Sequence, residues 1–450
     1  MNVPVEERCC SLLGDCELEK VSDYIGIPGY TPRYVPLHRA KTTKDPLFDR
    51  DFNLCIGCTR CVRICQAVQE VEVLGAVWKD GRAVIGTLDG GDLKDAQCRF
   101  CGACVEICPT GALLDKEGVQ PVRCDSQLPC VANCPAGIDI PRYLEAIAAG
   151  QDKEALRIIR ERVPFPGILG YACFHPCEIA CRRGDVDQPV AICALKRYVA
   201  DAEPDASANS ITRCSDTEKK IAIIGSGPTG ATAAYYLRVL GHQVDIFDRE
   251  SHPGGMLRYG IPEYRLPQEV LDREMELLKA LGVNFHLDYN FDNERWLDNL
   301  KSHNFDAVLV AVGVSAGKKL SIENADLPGI YPALEFLKSA RTSHTPRLKG
   351  QAAIIGGGNV AIDSAMTALR LGAESAIIIC LESRDNMPAH HWEIAQAEEE
   401  GVKIYPSWGP TKFCSNNGRV SAIELMQCTS VLDQRGKFDP QYDESQTKHV

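Results

Sequence analysis

Apolar positions fall into two regimes along the chain. In IPRYLEAIAAGQDKEALRIIRERV, residues 140–163, they recur at three- to four-residue spacing, which predicts amphipathic helices packed around cysteine loops. From about residue 219, short apolar runs alternate with helical stretches. IAIIGSGPTGATAAYYLRVLGHQVDIFD, from Ile221 to Asp248, predicts a strand, a glycine turn, a helix and a second strand. AAIIGGGNVAIDSAMTALRLGAESAIIICLESRDNMPA, from Ala352, repeats that order. Between the regimes, DAEPDASANSITRCSDTEK at 201–219 is rich in Ala, Ser and Asp, lacks apolar periodicity and reads as a linker. No apolar run approaches the roughly 18 residues of a membrane span, and MNVPVEERCC has neither a basic n-region nor an apolar h-region. The expected location is the cytoplasm, with no membrane insertion.

A chain of 450 residues has room for two or three domains. Its 49 Lys and Arg against 61 Asp and Glu leave a net charge of -12, which argues against nucleic acid or anionic membrane as a partner. The 22 cysteines change the picture most. Eighteen lie before residue 194, mostly two or three residues apart, a spacing that suits metal centres better than a secreted disulfide framework. Cys214, Cys380, Cys414 and Cys428 are scattered and read as structural or inert.

Cys55, Cys58, Cys61 and Cys65 in CIGCTRCVRIC, and Cys98, Cys101, Cys104 and Cys108 in CRFCGACVEIC, share the pattern C-x2-C-x2-C-x3-C. Three close thiolates cap three irons of one cubane while the fourth closes the partner cluster, so Cys108 is expected on the Cys55 cluster and Cys65 on the Cys98 cluster. A zinc ribbon would leave half of these thiolates unused. Residues 10 to 118 resemble the ferredoxin-like domain of respiratory NADH dehydrogenase, iron hydrogenases and NAD-linked formate dehydrogenases. That family carries an upstream His-and-three-Cys cluster. Here Cys10 and Cys16 match it, Glu7 stands where another cysteine would be, Cys9 is a substitute, and no histidine precedes them. Either the arm binds a further cluster or it is a remnant that only packs.

Cys124, Cys130, Cys134, Cys173, Cys177, Cys181 and Cys193 lie in RCDSQLPCVANCPAGIDIP, YACFHPCEIACRRG and VAICALKRYVAD. These segments resemble the N-terminal domain of the glutamate synthase small subunit and of dihydropyrimidine dehydrogenase. The resemblance implies two 4Fe-4S clusters between helices, one on Cys124, Cys130 and Cys181, the other on Cys134, Cys173 and Cys177. Each is one ligand short, because the family's earliest cysteine falls near Pro121 and its glutamine position near Lys196. Cys193, another chain or a solvent ligand completes them. His175 is expected to pack or to hydrogen-bond sulfur.

In the first dinucleotide motif Gly225 allows the tight turn and Gly227, with Pro228 behind it, lets backbone approach a pyrophosphate. Gly230 lets the helix pack, and Asp248 accepts from a ribose hydroxyl. The following HPGGMLRYGIP resembles the flavin-lining stretch of the glutamate synthase small subunit. This resemblance assigns FAD here, with Gly254, Gly255, Met256, Leu257 and Arg258 along it. The second motif then takes the nicotinamide at Gly356, Gly358, Asn359 and Val360, the last where a third glycine is usual. NADPH-using relatives read Y-R-R where this chain has Cys380, Leu381 and Glu382. Glu382 accepts from a free 2'-hydroxyl and repels a phosphate, so NAD(H) is expected, with Arg384 nearby as a counter-indication. His390 and His391 lack metal-ligand spacing.

The expected architecture is α/β. It runs from an arm (1–45) through a ferredoxin-like 2x4Fe-4S domain (46–118), a helical iron-sulfur domain (119–200) and a linker (201–218) to the first part of a Rossmann-like FAD domain (219–345). An inserted NAD-binding domain (346–450) follows. In the resembling family the FAD domain resumes after the insert and ends in a G-D motif, which this sequence does not reach. The expected function is an oxidoreductase subunit that moves electrons between NAD(H), FAD and about four 4Fe-4S clusters. It would sit within a complex with other subunits and ferredoxin as partners, one that bifurcates electrons. The alternatives are a glutamate synthase small subunit feeding an amidotransferase, against which the segment 45–118 argues, and a non-enzymatic electron conduit.

Overall fold

Both cysteine motifs of the ferredoxin-like segment hang from short strands. In this computed structural model, which describes residues 17–26, 41–68, 71–79, 82–88, 91–116, 129–203, 211–290, 304–317, 319–342 and 347–450, the chain divides into two units at Ala206 and Ser207. The first unit contains strands β1 (Phe48–Arg50), β2 (Leu74–Lys79), β3 (Arg82–Thr87) and β4 (Leu113–Asp115). β1 pairs antiparallel with β4, and β2 with β3. The first pairing stitches together the ends that flank the motifs. Leu47, Phe48, Leu93 and Phe100 form the core beneath, with Cys55, Cys65, Cys98, Cys104 and Cys108 packed against it.

The periodic stretch 140–163 folds as two helices, Ile140–Ala148 and Asp152–Arg160. The first starts where Asp139 accepts from the Arg142 backbone N-H and Pro141 occupies the first turn. These helices bury Tyr143, Ile158 and Ile159 with Val199 of the helix Ile192–Ala202, and Cys130, Cys134 and Cys177 border that core.

In the second unit, β5 (Lys220–Ile224), β6 (Gln243–Phe247), β7 (Val283–His286) and β8 (Ala307–Val310) form a parallel sheet in the order β7-β6-β5-β8. β9 (Gln351–Ile355), β10 (Ser375–Cys380) and β11 (Lys403–Pro406) form a second, all-parallel sheet in the order β11-β10-β9. The apolar runs of β5, β6 and β10 are buried, as strands covered on both faces must be. β12 (Trp408–Asn416), β13 (Arg419–Leu432) and β14 (Phe438–His449) make an antiparallel sheet that adjoins the second. On the edge strand β8 and beyond it, Val310, Val312 and Val314 are exposed.

Two boundaries differ from expectation. The expected linker 201–218 is narrower, because the preceding helix runs to Ala202 and Cys214 and Thr217 donate backbone N-H bonds to Val239 and Gly241. Those bonds fasten the segment before β5 onto the glycine-turn helix. Residues 319–330, expected in the flavin domain, instead pack Ile322, Leu327 and Ile330 against Phe413, Ile423 and Leu425, on the nicotinamide side. Apolar spacing alone does not say which of two sheets a loop covers.

Candidate functional site

The two ferredoxin-type motifs adopt matching backbones. Gly57 and Thr59 in the first, and Phe100 and Gly102 in the second, are all left-handed, with φ of 67, 59, 53 and 77 degrees. Left-handed backbone at Thr59 and Phe100 costs about 1–2 kcal/mol each. The gain is that successive N-H groups turn toward sulfur: Phe100 N donates to Cys98 Sγ at 3.4 Å, and Val62 and Ala103 backbone N-H groups serve Cys61 and Cys101.

The thiols come together in crossed sets. Burial pushes the Cys61 thiol up to about 12, with Cys108, Cys55 and Cys58 adding like charge. The Cys104 thiol is raised by burial and then by Cys101 and Cys98, with Cys61 of the first motif and Cys65 also adding like charge; burial, with Cys101, Cys65 and Asp45 adding like charge, pushes Cys98 to about 12. A pocket walled by Phe48, Ile64 and Leu93 exposes Cys65, Cys98, Cys101 and Cys104 to one another. Four soft donors around one apolar hollow fit an iron-sulfur cluster, which would displace the thiol protons that burial retains on Cys98, Cys101 and Cys104.

The second set surrounds Tyr143, whose hydroxyl donates to Ile192 O at 3.0 Å and whose ring lies among Cys177, Cys193, Cys130 and Cys134. Cys130 is raised to about 12 by burial, then by Cys101 and Cys181. Cys177 is raised to about 11 by burial, then by Cys173, with Cys134 also contributing. Cys193 shares a hydrogen bond with Cys173, which lowers Cys173 and raises Cys193. The structure thus gathers Cys134, Cys173, Cys177 and Cys193, with the buried Lys196 beside them. Cys130 and Cys181 form the other group; Cys124, like Cys9, Cys10 and Cys16, lies outside the described residues. His175 serves sulfur through its backbone N-H, 3.3 Å from Cys173 Sγ, while its ring faces Glu178.

At the first glycine turn, Gly225 has φ of 106 degrees, and a Cβ there would meet Ala311 O at 2.4 Å. A Cβ on Gly230 would lie 1.9 Å from Gly225 O, and one on Gly255 would lie 2.7 Å from Gly227 Cα. Turn, helix and the GGMLRYG segment are therefore interlocked, with Pro228 in the first turn of the helix. Asp248 holds the turn from below, accepting from Ser226 N at 2.7 Å and from Glu250 N at 2.9 Å. Met256 and Leu257 start the short helix after Gly255 and are half-buried. Arg258, expected along the flavin, is buried and donates to Pro253 O at 2.6 Å and to Asp272, so two of its arms shape the loop.

The second turn is looser. Gly356 has φ of 125 degrees, and Cβ atoms at Gly356 and Gly358 would meet nothing within 4 Å, which leaves room for a ligand to approach the backbone. Asn359 accepts from His390 N at 3.1 Å, while Val360 is exposed on the helix. Glu382 Oε2 lies 3.1 Å from where a Gly357 Cβ would be, placing its carboxylate over the turn. Arg384 is drawn to Glu398 at 2.7 Å. His390 stacks on Trp392, and Cys414 hydrogen-bonds Glu424 near His449.

Sequence reasoning passed over Arg182, which follows Cys181, lies buried and pairs with Asp115. Adjacency to a cysteine was the only signal, since Asp115 is 67 residues away.

Comparison with known proteins follows the same division. Residues 45–114 match the NADH-quinone oxidoreductase subunit 3 ferredoxin-like domain. Residues 114–208 match dihydropyrimidine dehydrogenase domain II, 4Fe-4S cluster, and 219–433 the pyridine nucleotide-disulphide oxidoreductases. The NADP(+)-dependent formate dehydrogenase subunit beta of Moorella thermoacetica is 40% identical over 324 residues, 66% of this chain and 46% of that protein. The NADPH-Fe(3+) oxidoreductase subunit beta of Geobacter sulfurreducens is 37% identical over 306 residues, 66% of this chain and 45% of that one. The NAD-dependent dihydropyrimidine dehydrogenase subunit PreT of Escherichia coli is 36% identical over 320 residues, 70% of this chain and 76% of PreT. The chain thus spans a little under half the length of the first two relatives.

Proposed function

Because the chain belongs to the iron-sulfur, pyridine nucleotide-dependent flavoprotein oxidoreductase family that includes PreT, we propose that it is a diaphorase-type subunit linking a nicotinamide pool to a chain of clusters. When bound, FAD exchanges a hydride with the nicotinamide, and the 4Fe-4S clusters carry single electrons. Gly225, Gly227, Gly230 and Asp248, with Gly254 to Leu257, would hold FAD. Gly356, Gly358 and Asn359 would hold the nucleotide. Cys55, Cys58, Cys61 and Cys108 would ligate one cluster, and Cys65, Cys98, Cys101 and Cys104 a second. Cys134, Cys173, Cys177 and Cys193 would ligate a third, and Cys130 and Cys181 with Cys124 a fourth. The carrying observation is the pairing, in one chain, of crossed four-thiol sets with an interlocked glycine cradle.

For the nucleotide the proposal is NAD(H). Glu382 covers the second turn and would repel a 2'-phosphate, while Arg384, a nearby cation that would welcome it, is engaged with Glu398. No disulfide joins the described cysteines, and no helix among the described residues is long and apolar enough to cross a membrane; the reading for the chain is a reducing, cytoplasmic setting. The relatives named as beta subunits support partner subunits for this chain too. Coupling to ferredoxin by electron bifurcation is the extension, and absence of ferredoxin-linked NAD reduction in the assembled complex would overturn it.

Anaerobic titration with NADH and separately NADPH, following flavin and cluster absorbance with iron and FAD quantified, tests the reading. Bleaching by NADH with roughly sixteen irons per chain is expected. Bleaching by NADPH alone overturns the nucleotide assignment, and a protein without iron overturns the whole.

A further inference from the structure

Arg182 is buried in the seam between the two iron-sulfur segments of the first unit, with its side chain only 3% exposed. One arm, Nη2, pairs with Asp115 at the end of β4. The other two nitrogens, Nε and Nη1, are buried with no hydrogen-bond partner among the described residues. The guanidinium lies directly on Gly102, where a Cβ would come within 2.0 Å of Nη1 and 2.7 Å of Cζ. Its charge is felt at the neighbouring Cys101 thiol. Cys101 in turn stands beside Cys130 of the helical segment, and Val131 packs against Ile64 and Ala103 there.

Two unpartnered donors on a buried cation are costly, and the cost disappears when an anionic acceptor stands opposite them. The acceptors that belong at this place are the sulfurs of the cluster that Cys65, Cys98, Cys101 and Cys104 would hold. We propose that Arg182 donates through Nε and Nη1 to the sulfurs of that cluster, raises its reduction potential, and so makes it the electron-accepting junction between the ferredoxin-like and helical segments. Reduction adds one electron and one negative charge to the cluster; no bond breaks and Arg182 keeps its proton. The cation favours the more negative reduced form, while Asp115 offsets part of that preference. The inference rests on these thiols binding a 4Fe-4S cluster.

The test is a dithionite redox titration of the whole protein followed by EPR, with the relevant signal assigned beforehand as the one altered by Cys65→Ser. Arg182→Gln should lower the reduced-to-oxidised ratio of that signal at fixed potential by about tenfold, equivalent to 59 mV for a one-electron couple, and leave the other signals in place. Asp115→Asn should move it the opposite way, and Arg182→Lys should fall between wild type and Arg182→Gln. A merely structural salt bridge predicts equal effects of breaking it from either side. Unchanged midpoints, or shifts of the same sign in Arg182→Gln and Asp115→Asn, overturn the proposal. If Arg182→Gln loses iron, the Arg182→Lys and Asp115→Asn midpoints decide alone. Wild-type protein lacking iron or the Cys65-dependent signal refutes instead the cluster reading beneath it.

Discussion

Single atoms decide whether the glycine turns can form. At Gly230 an added methyl would collide with the Gly225 carbonyl, a backbone atom held by the Gly225 N-H bond to Phe247 O, so nothing flexible can move aside. Gly230→Ala is expected to purify with less than about a tenth of the wild-type flavin, a loss of 1.4 kcal/mol or more in binding, read from protein-bound FAD. Charge matters in the same way at the second turn. On the proposed NAD(H) assignment, Glu382→Arg would replace an acceptor of ribose hydroxyls with a partner for phosphate and should raise the NADPH-to-NADH ratio of kcat/KM by at least about tenfold, measured with an artificial electron acceptor. These residues were legible from the sequence because a glycine turn between apolar strands demands its own spacing. The Asp115 to Arg182 pair was not, since its partners meet only when two separate segments fold together.

Among the elements, the two nucleotide motifs are joined by a charged clamp. Arg265, just beyond the GGMLRYG segment, donates to Asp363 Oδ1 at 2.6 Å in the helix after the second glycine turn and to Glu393 at 2.8 Å, and Tyr264 reaches Asp363 at 3.2 Å. Burial raises the Asp363 carboxyl, opposed by Arg265, and burial likewise raises Glu393. A carboxyl whose folded pKa is raised binds more protons folded than unfolded. Its contribution therefore favours the fold at low pH and is lost as pH rises from the ordinary carboxylate range through the raised value. Arg265→Met should cost about 3–5 kcal/mol at neutral pH, because it strands two buried carboxylates. The loss should shrink as the pH is lowered toward the carboxylate range. Denaturant midpoints of wild type and variant across pH check this; a pH-independent difference would contradict it. Strand and helix periods announced these elements, but the clamp's partners are 98 and 128 residues apart and no local pattern joins them.

At the level of the whole molecule, the division at residues 206 and 207 separates iron chemistry from nucleotide chemistry. In the first unit cysteines border the cores, so cluster binding and folding are coupled there. In the second unit the cores are built from apolar side chains of the parallel strands, of β12 and β13 and of the helices Asn359–Arg370 and His391–Glu399, without the clustered cysteines of the first unit. Calorimetry should show two transitions. Stripping the iron with a chelator under oxidation should lower the first by on the order of 10 °C or abolish it, while the second stays in place. A common shift of both would refute the separation.

Sequence alone determined the α/β class, the cysteine motifs, both glycine turns and the acid at the end of each second strand. These depend on local geometry: a cubane needs its ligands a few residues apart, and a pyrophosphate needs bare backbone at a helix start. Tertiary structure decided which thiols meet across motifs, that Cys193 joins Cys173, and that residues 319–330 cover the nicotinamide side. It also turned Arg384 and Arg258 toward protein partners and left two arms of Arg182 buried beside Cys101. Such choices rest on close packing and on pairing buried charges between distant segments, and the local pattern of residues carries no record of distance in space.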